Sequence, residues 1–511
     1  MTAQTKQQTK QQTKQQVKAE KTSDSESNTA AEHLDVLIVG AGLSGIGCAR
    51  HLQKSCPDFS FALLEGRESL GGTWDLFRYP GIRSDSDMYT LGYAFKPWLA
   101  RKSLADGPSI LAYLKEAATE TGVDQHIRYQ HKVVAASWDS ESALWTVDVQ
   151  RGEAGEARQF TCGFLLMCSG YYDYEQGYTP EFTGREDFTG QVIHAQHWPE
   201  ELDYAGKKVV VIGSGATAVT LIPEIAKVAA QTTMLQRSPT YIASVPEEDP
   251  WSPFLNKFLP GSWVYRLIRW KRVLFQMFVF NLSRRRPKVV RNLLLKQVRE
   301  ELGADYDVKK HFTPNYNPWD QRLCAVPQGD LFESIRSGKA QVVTDHIERF
   351  TPEGIALQSG ATLDADIIVL ATGLNMKFLG GTTLNVDGNQ IEPAEHYVYR
   401  GMMFSGVPNL VQLFGYTNAS WTLKADLTAD YVCRLLNYLR DTGQRYAVPV
   451  EPQGGVEEEP MLDFTSGYVV RAMDKFPKQG RETPWKLHQN YIRDFVNLRI
   501  RSLTDSVLKL R

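Results

Sequence analysis

The sequence predicts an α/β chain made of two dinucleotide-binding, Rossmann-like units, one inserted in the other, with a small helical insertion inside the second. Three observations carry this expectation. Glycine-rich turns occur twice, GAGLSG at Gly40–Gly45 and GSGATA at Gly213–Ala218, each between an apolar strand and a helix pattern. A third apolar run, Asp366–Leu370, ends in an ATG turn at Ala371–Gly373 that leads the chain out of the second unit. Between these, residues 263–288 combine large apolar with basic side chains and hold no acid. The implied division is a tail at 1–32, an outer unit at 33–170 and 374–511, an inner unit at 171–250 and 311–373, and the helical insertion at 251–310.

In the tail, TKQQ repeats three times from Thr5 to Gln16 and a polar stretch follows. Without an apolar face such a segment cannot offset its ordering entropy, so disorder is expected, and it lacks the apolar run of a secretory signal. A net charge of −2 gives no global basic excess and argues against a nucleic-acid partner. The cysteines (Cys48, Cys56, Cys162, Cys168, Cys324, Cys433) are scattered and form no CxxC pair. That pattern fits free thiols in a reducing, cytoplasmic compartment and supplies no redox dithiol.

In the first unit, LDVLIVGAGLSGIGCARHLQ reads as strand Leu34–Val39, a tight turn and a helix. Gly40 permits the turn, Gly42 lets backbone approach a pyrophosphate, and Gly45 lets the helix pack on the strand. Ser44 falls in the first helical turn, where free N–H groups favour an anion. A second strand, Phe59–Leu64, ends in Glu65, a carboxylate suited to ribose hydroxyls of FAD or NAD. In the second unit, KKVVVIGSGATAVTLIPEIA repeats the pattern from strand Val209–Ile212, with Ala218 in place of the third glycine. Strand Thr232–Leu235 is followed by Gln236, Arg237 and Ser238, with no acid. Arg237 can bind a 2′-phosphate that a carboxylate would repel, so NADPH is expected here rather than NADH.

The segment joining the units, FTGQVIHAQHWP (Phe188–Pro199), fills FxGxxxHxxxWP with Phe188, Gly190, His194, Trp198 and Pro199. Gly71, Gly72, Trp74, Tyr79, Pro80, Gly81 and Asp85 fill GGxWxxxxYPGxxxD. With these patterns the chain resembles the type I Baeyer-Villiger flavin monooxygenases. Through YPGIRSDSDMYTLG, NPWDQRL and GYTNASWTLKAD it is similar to their ethionamide-activating branch.

The resemblance implies FAD in the first unit, lined by Thr73, Trp74, Asp75 and Leu76, with the adenine against the backbone of Val133 on strand His131–Ala136. It implies NADPH on Arg83, Ser84, Gly213, Ser214, Gly215, Ala216, Thr217, Ala218, Arg237 and Ser238. Arg322 would stand over the flavin as the principal catalytic residue, oriented by Asp85 through a charge-assisted hydrogen bond. The implied reaction uses NADPH and O2 to form a C4a-peroxyflavin, which converts a ketone to an ester or lactone, with sulfoxidation of thioethers as a side activity. S- or N-oxygenation as the main reaction is an alternative, and an NADPH-dependent flavin reductase serving a partner is another. One departure is Gln321, where many members carry a phosphate-binding lysine, so NADPH preference would rest mainly on Arg237.

His194 and His197 have i,i+3 spacing but no third ligand accompanies them, so a metal site is not expected and His194 reads as an ordering element. For residues 263–288 two readings stand. One is peripheral contact with a membrane surface, since the uncharged run Val273–Ser283 is too short to span one. The other, preferred because amphipathic helices more often face a core, is a cap with its apolar face on the NADPH domain and its basic face solvated. Trp421, in the loop Gly415–Trp421, is equally readable as a substrate lid or as core.

Overall fold

The computed structural model describes residues 31–511 apart from 453 and 463. The expected tail thus lies outside the described residues except for its last two, and Glu32 already opens the first strand. Strand β1 (Glu32–Val39) leads through the first glycine turn into helix α1 (Leu43–Ser55) and then β2 (Phe61–Leu64). β2 starts later than the apolar run, because the Phe59 N–H is spent in a turn, donating to Cys56 O at 3.1 Å. Next come α2 (Gly107–Thr121), β3 (Ile127–Arg128), β4 (His131–Asp139), β5 (Leu144–Arg151) and β6 (Glu156–Met167). β1 lies between β2 and β6, parallel to both, with Val39 opposite Leu64 and Met167.

The chain then crosses to a second sheet through β7 (Gln191–His194), β8 (Lys208–Ile212), α3 (Ala216–Ile225) and β9 (Gln231–Gln236). After helices α4 (Gly261–Arg285) and α5 (Pro287–Leu302), β10 (Ala340–Thr344) and β11 (Ile367–Leu370) complete it. The order β10-β9-β8-β11-β7 is parallel throughout. A parallel sheet covered on both faces needs apolar side chains in both directions, which is why VVVI and IIVL run without alternation. β12 (Thr383–Val386), β13 (Asn389–Ile391), β14 (Leu410–Gln412) and helix α6 (Trp421–Thr442) return the chain to the first sheet. That sheet has the order β13-β12-β4-β5-β6-β1-β2-β3, with β14 also paired to β6. One nucleotide-binding sheet is therefore inserted in the other.

The insertion departs from the preferred expectation. α4 places Val264, Tyr265 and Ile268 in one apolar cluster with Tyr89 and Trp98, and Val273 in another with Tyr416 and Leu423. Those partners belong to the outer unit. It is α5 whose apolar side chains enter the core of the inner unit, through Leu295 and Val298. Nor are the cations of α4 simply solvated. Arg269 is buried, donates to the carbonyls of Tyr89 (2.8 Å) and Gly92 (2.7 Å), and pairs with Asp426 at 3.4 Å. Lys271 and Arg272 share Asp249, each at 2.7 Å. A buried cation is tolerated only with such partners, so these ion pairs fix which face of α4 turns inward.

Candidate functional site

The carboxyl ends of β1 and β8 open on one continuous cleft of about 1370 Å³, lined by both glycine turns. Gly40 (φ 103°) and Gly213 (φ 148°) make equivalent turns against a neighbouring strand end. A Cβ at Gly40 would lie 2.7 Å from Cys168 O, and one at Gly213 would lie 2.3 Å from Ala371 O. Helices α1 and α3 both start without a side-chain cap, leaving their first N–H groups to a ligand. Gly45 and Ala218 do not border the cleft; they are buried where helix meets strand, the packing position expected for both.

On the first turn, Glu65 accepts from the N–H groups of Ala41 (2.8 Å) and Arg67 (3.0 Å) and still borders the cleft. Burial raises its pKa, and those two hydrogen bonds oppose the rise. Thr73, Trp74, Leu76 and Val133 line the same half of the cleft. Asp75 does not. Its carboxylate turns inward to Arg67 (2.7 Å), Arg78 (3.1 Å) and Ser69 Oγ (2.5 Å), so it anchors the covering loop instead of lining the site. A lone short acid beside two arginines satisfies its charge locally, which outweighs exposure to the cleft. Ser44 Oγ accepts from Trp421 Nε1 at 2.7 Å. Trp421 opens α6, stands 5.3 Å from the Tyr171 ring and lies against Gly415, so it is a packed wall of the cleft rather than part of a free loop.

The residues fit a flavin dinucleotide. The backbones of Gly42 and Gly72 approach so closely that a Cβ on Gly72 would lie 3.2 Å from Gly42 Cα, forming a side-chain-free cradle. Ser169 Oγ and Arg83 Nε, both on the cleft wall, are buried without a hydrogen-bond partner.

On the second turn, Ser214, Gly215, Ala216 and Thr217 line the cleft together with Arg237, Ser238 and Gln321. Ser214 Oγ donates to Ser238 O at 2.9 Å and ties the turn to the end of β9. Arg237 is exposed and forms no ion pair among the described residues. Arg83 is already engaged, pairing with Asp330 at 2.6 Å, which leaves its Nε as the unspent donor. Ser84 is buried and lines the cleft beside it. The loop carrying these residues bridges the units, because Gly81 packs on Thr220 and Glu224 of α3 and Tyr79 joins the apolar cluster of Val219 and Ile222.

Arg322 and Asp85 both line the cleft. Burial raises the Asp85 pKa while Arg322 and Arg83 pull it down. The pair senses each other's charge without forming an ion pair within 4 Å, so the expected direct hydrogen bond is absent. Arg322 is exposed to the cleft; its position deep among protein atoms works against the cation, but Tyr171, Tyr468, Tyr172 and Asp85 hold it charged and raise its pKa overall. Its loop is gripped from α4, where Arg284 pairs with Asp320 at 3.0 Å and Phe280 meets the Trp319 ring edge-on at 5.7 Å.

The joining segment sits where the crossovers pass. His194 ends β7 opposite Leu370, and its Nδ1 accepts from Gln196 N–H at 3.1 Å. Its ring lies over Gly177, where a Cβ would be 2.0 Å from Cε1. Trp198 is buried, edge-on to Tyr204 at 6.0 Å.

Sequence reasoning missed Ser169, the tyrosines 171, 172 and 468, and Arg471, all of which line the cleft. Tyr171 and Tyr172 open the inserted unit while Tyr468 lies in the last part of the outer unit, and no local pattern links them. The run SGYY after β6 was the one available signal, since it occupies the strand end opposite the first glycine turn.

Comparison with known proteins agrees with this geometry. Residues 103–402 match the flavin-binding monooxygenase-like family model, and residues 38–99 match an NAD(P)-binding Rossmann-like domain. The chain is 55% identical over 479 residues to the FAD-containing monooxygenase EthA of Mycobacterium tuberculosis, covering 94% of this chain and 98% of that one. It is 55% identical over 469 residues to EthA of Mycolicibacterium smegmatis, covering 92% and 95%. In fold it is similar to the crystal structure of OTEMO complexed with FAD and NADP, at 24% identity and a TM-score of 0.69, over 83% of this chain and 89% of that one. The chain therefore belongs to the flavin-binding monooxygenase-like family.

Proposed function

We propose that this chain is an NADPH-dependent, FAD-carrying Baeyer-Villiger monooxygenase that inserts one oxygen atom from O2 beside a ketone carbonyl. The observation that carries the reading is a single cleft reached by both glycine turns and lined by the Arg322 cation. Bound FAD supplies the redox chemistry that couples NADPH to O2. Gly40, Gly42, Ser44, Glu65, Thr73, Trp74, Leu76 and Val133 hold FAD, while the second turn, Arg83, Ser84, Arg237 and Ser238 hold NADPH.

The chain's own contribution is electrostatic and positional. Oxygen transfer to a carbonyl builds up negative charge, and a cation held in place stabilises it without reorganisation. Arg322 supplies that cation, and Asp85 and the surrounding tyrosines keep it charged. Burial pushes the Tyr468 hydroxyl up to about 12, so it stays protonated beside Arg322 as a hydrogen-bond donor. Trp421 and Tyr171 wall the cleft against bulk water.

The test is product analysis with purified holoprotein, NADPH and labelled O2, offered a ketone and a thioether side by side. The expected result is an ester or lactone carrying one labelled oxygen, with sulfoxide as a lesser product. Sulfoxide alone would assign S-oxygenation instead. NADPH oxidation that ignores substrate and rises with an added electron carrier would assign a reductase.

A further inference from the structure

Helix α4 has two apolar faces. One is the buried face described above. The other is a stripe of Trp263, Leu267, Trp270, Leu274 and Phe278, each between 46 and 61% exposed. At about 100° per residue these five share one side of the helix, opposite the buried Tyr265 and Ser283. The stripe continues onto the preceding segment, where Trp251, Phe254 and Phe258 are 60, 60 and 72% exposed. It also continues onto the C-terminal segment, where Tyr491 and Phe495 meet the Trp270 ring at 5.8 and 6.4 Å. Most of the exposed large apolar side chains among the described residues fall between Trp251 and Leu293. Scattered exposed leucines need no explanation, but a contiguous apolar patch on a folded protein marks an interaction surface.

Charge selects the occupant. No Asp or Glu occurs between residues 250 and 299. The inward cations of α4 are spent on Asp426 and Asp249, whereas Lys257, Arg266, Arg285, Arg286 and Lys288 are exposed with no carboxylate partner among the described residues. A second copy seated stripe to stripe would bring these cations together with no acid between them. An anionic lipid surface accepts both features at once, tryptophan and phenylalanine entering the headgroup boundary and Lys and Arg meeting phosphates. Among the described residues no helix is long and apolar enough to cross a membrane.

We propose that α4, with the segment 251–259 before it, docks this protein on anionic membranes. The buried face of α4 clusters with Tyr416, which also borders the cleft, so the docking helix is itself a neighbour of the cleft. The inference stands apart from the reaction assigned above and would survive its failure.

The experiment is co-sedimentation of the full-length holoprotein with vesicles of phosphatidylcholine, alone or mixed with phosphatidylglycerol. Binding to the mixed vesicles should exceed binding to phosphatidylcholine by roughly tenfold and weaken with salt. The variant Trp263→Gln/Leu267→Gln/Phe278→Gln should lose binding at least about tenfold. Arg266→Glu/Arg285→Glu/Lys288→Glu should lose the preference for phosphatidylglycerol. Flavin content and thermal unfolding should match the parent, since these side chains face outward. Should a variant fail to fold, quenching of the parent's tryptophan fluorescence by brominated lipid, and its reduction in Trp263→Phe, provides the same test. Protein that stays in the supernatant with mixed vesicles, or a glutamine variant that binds like the parent, overturns the proposal. So does a dimer in sedimentation velocity that the glutamine variant converts to monomer, because the stripe would then be a self-interface.

Discussion

The two nucleotide-binding units begin alike and end differently. Each has a buried apolar strand, a positive-φ glycine and an uncapped helix start. In the first, the strand-end acid Glu65 is 7% exposed and fastened by two backbone N–H groups, and residues 71–76 and Trp421 close over the turn. In the second, Arg237 and Ser238 are exposed, and a Cβ at Gly215 would meet nothing within 4 Å. The same local device is thus enclosed once and open once. An enclosed turn suits a group kept through many reaction cycles, and an open one suits a ligand that enters and leaves each time.

The strongest way to test that division is to strike the place where the halves meet. Arg322→Ala should leave FAD content and the rate of flavin reduction by NADPH near parental values. Ester formation should fall by at least about 100-fold, as when a fixed oxyanion donor is removed. Anaerobic stopped-flow for reduction and mass spectrometry for product separate the two. Full oxygenation by the variant would remove Arg322 from the chemistry, and loss of reduction would mean it serves binding.

The enclosed half breaks next. Glu65→Ala leaves the Ala41 and Arg67 N–H groups unsatisfied, at about 1–3 kcal/mol for each buried donor. The apparent Kd for FAD should rise about 10- to 100-fold, read as flavin lost on dialysis, while NADPH affinity of the remaining holoprotein stays within about twofold. Equal loss of both ligands would mean that Glu65 supports the whole cleft rather than one turn.

The open half should respond selectively. Arg237→Ala removes a charge-assisted contact of about 1.5–3 kcal/mol, so KM for NADPH should rise about 10- to 100-fold while KM for NADH hardly moves. Parallel increases would show that Arg237 orders the strand end instead of reading a phosphate. Gln321→Lys should lower KM for NADPH by a smaller factor, since it adds a flexible point charge to the cleft wall.

The two halves were unequally legible in the sequence. Both glycine turns, Glu65 and Arg237 follow from rules that act within thirty residues, so strand, turn and terminal residue could be read together. Asp75 was placed on the wrong side because a motif gives spacing, whereas the direction of a carboxylate depends on Arg67 and Arg78 competing for it. The partner of α4 was misassigned for a related reason. An amphipathic pattern says that a face is buried but not against what, and the Arg269–Asp426 pair joins residues more than 150 positions apart. Tyr171 and Tyr468 reach Arg322 from either side of the inserted unit, a meeting made by topology alone.

The smallest effect concerns the joint that holds the halves in register. His194 closes β7 beside the crossover at Gly177 and Gly373, and burial lowers its pKa, outweighing the backbone of Tyr178 and Gly373, which raises it. The folded state therefore binds this proton less readily than the unfolded chain. As pH falls through about 6.5 the unfolded chain takes up the proton first, so stability is kept above that value and lost below it. His194→Gln preserves an acceptor for the Gln196 N–H and removes the titration. The drop in Tm between about pH 7.5 and about pH 5.5 should then be smaller than in the parent by about 1–3 °C. If the variant also raises KM for NADPH without changing flavin content, the joint orients the open unit; if flavin is lost as well, His194 holds both units.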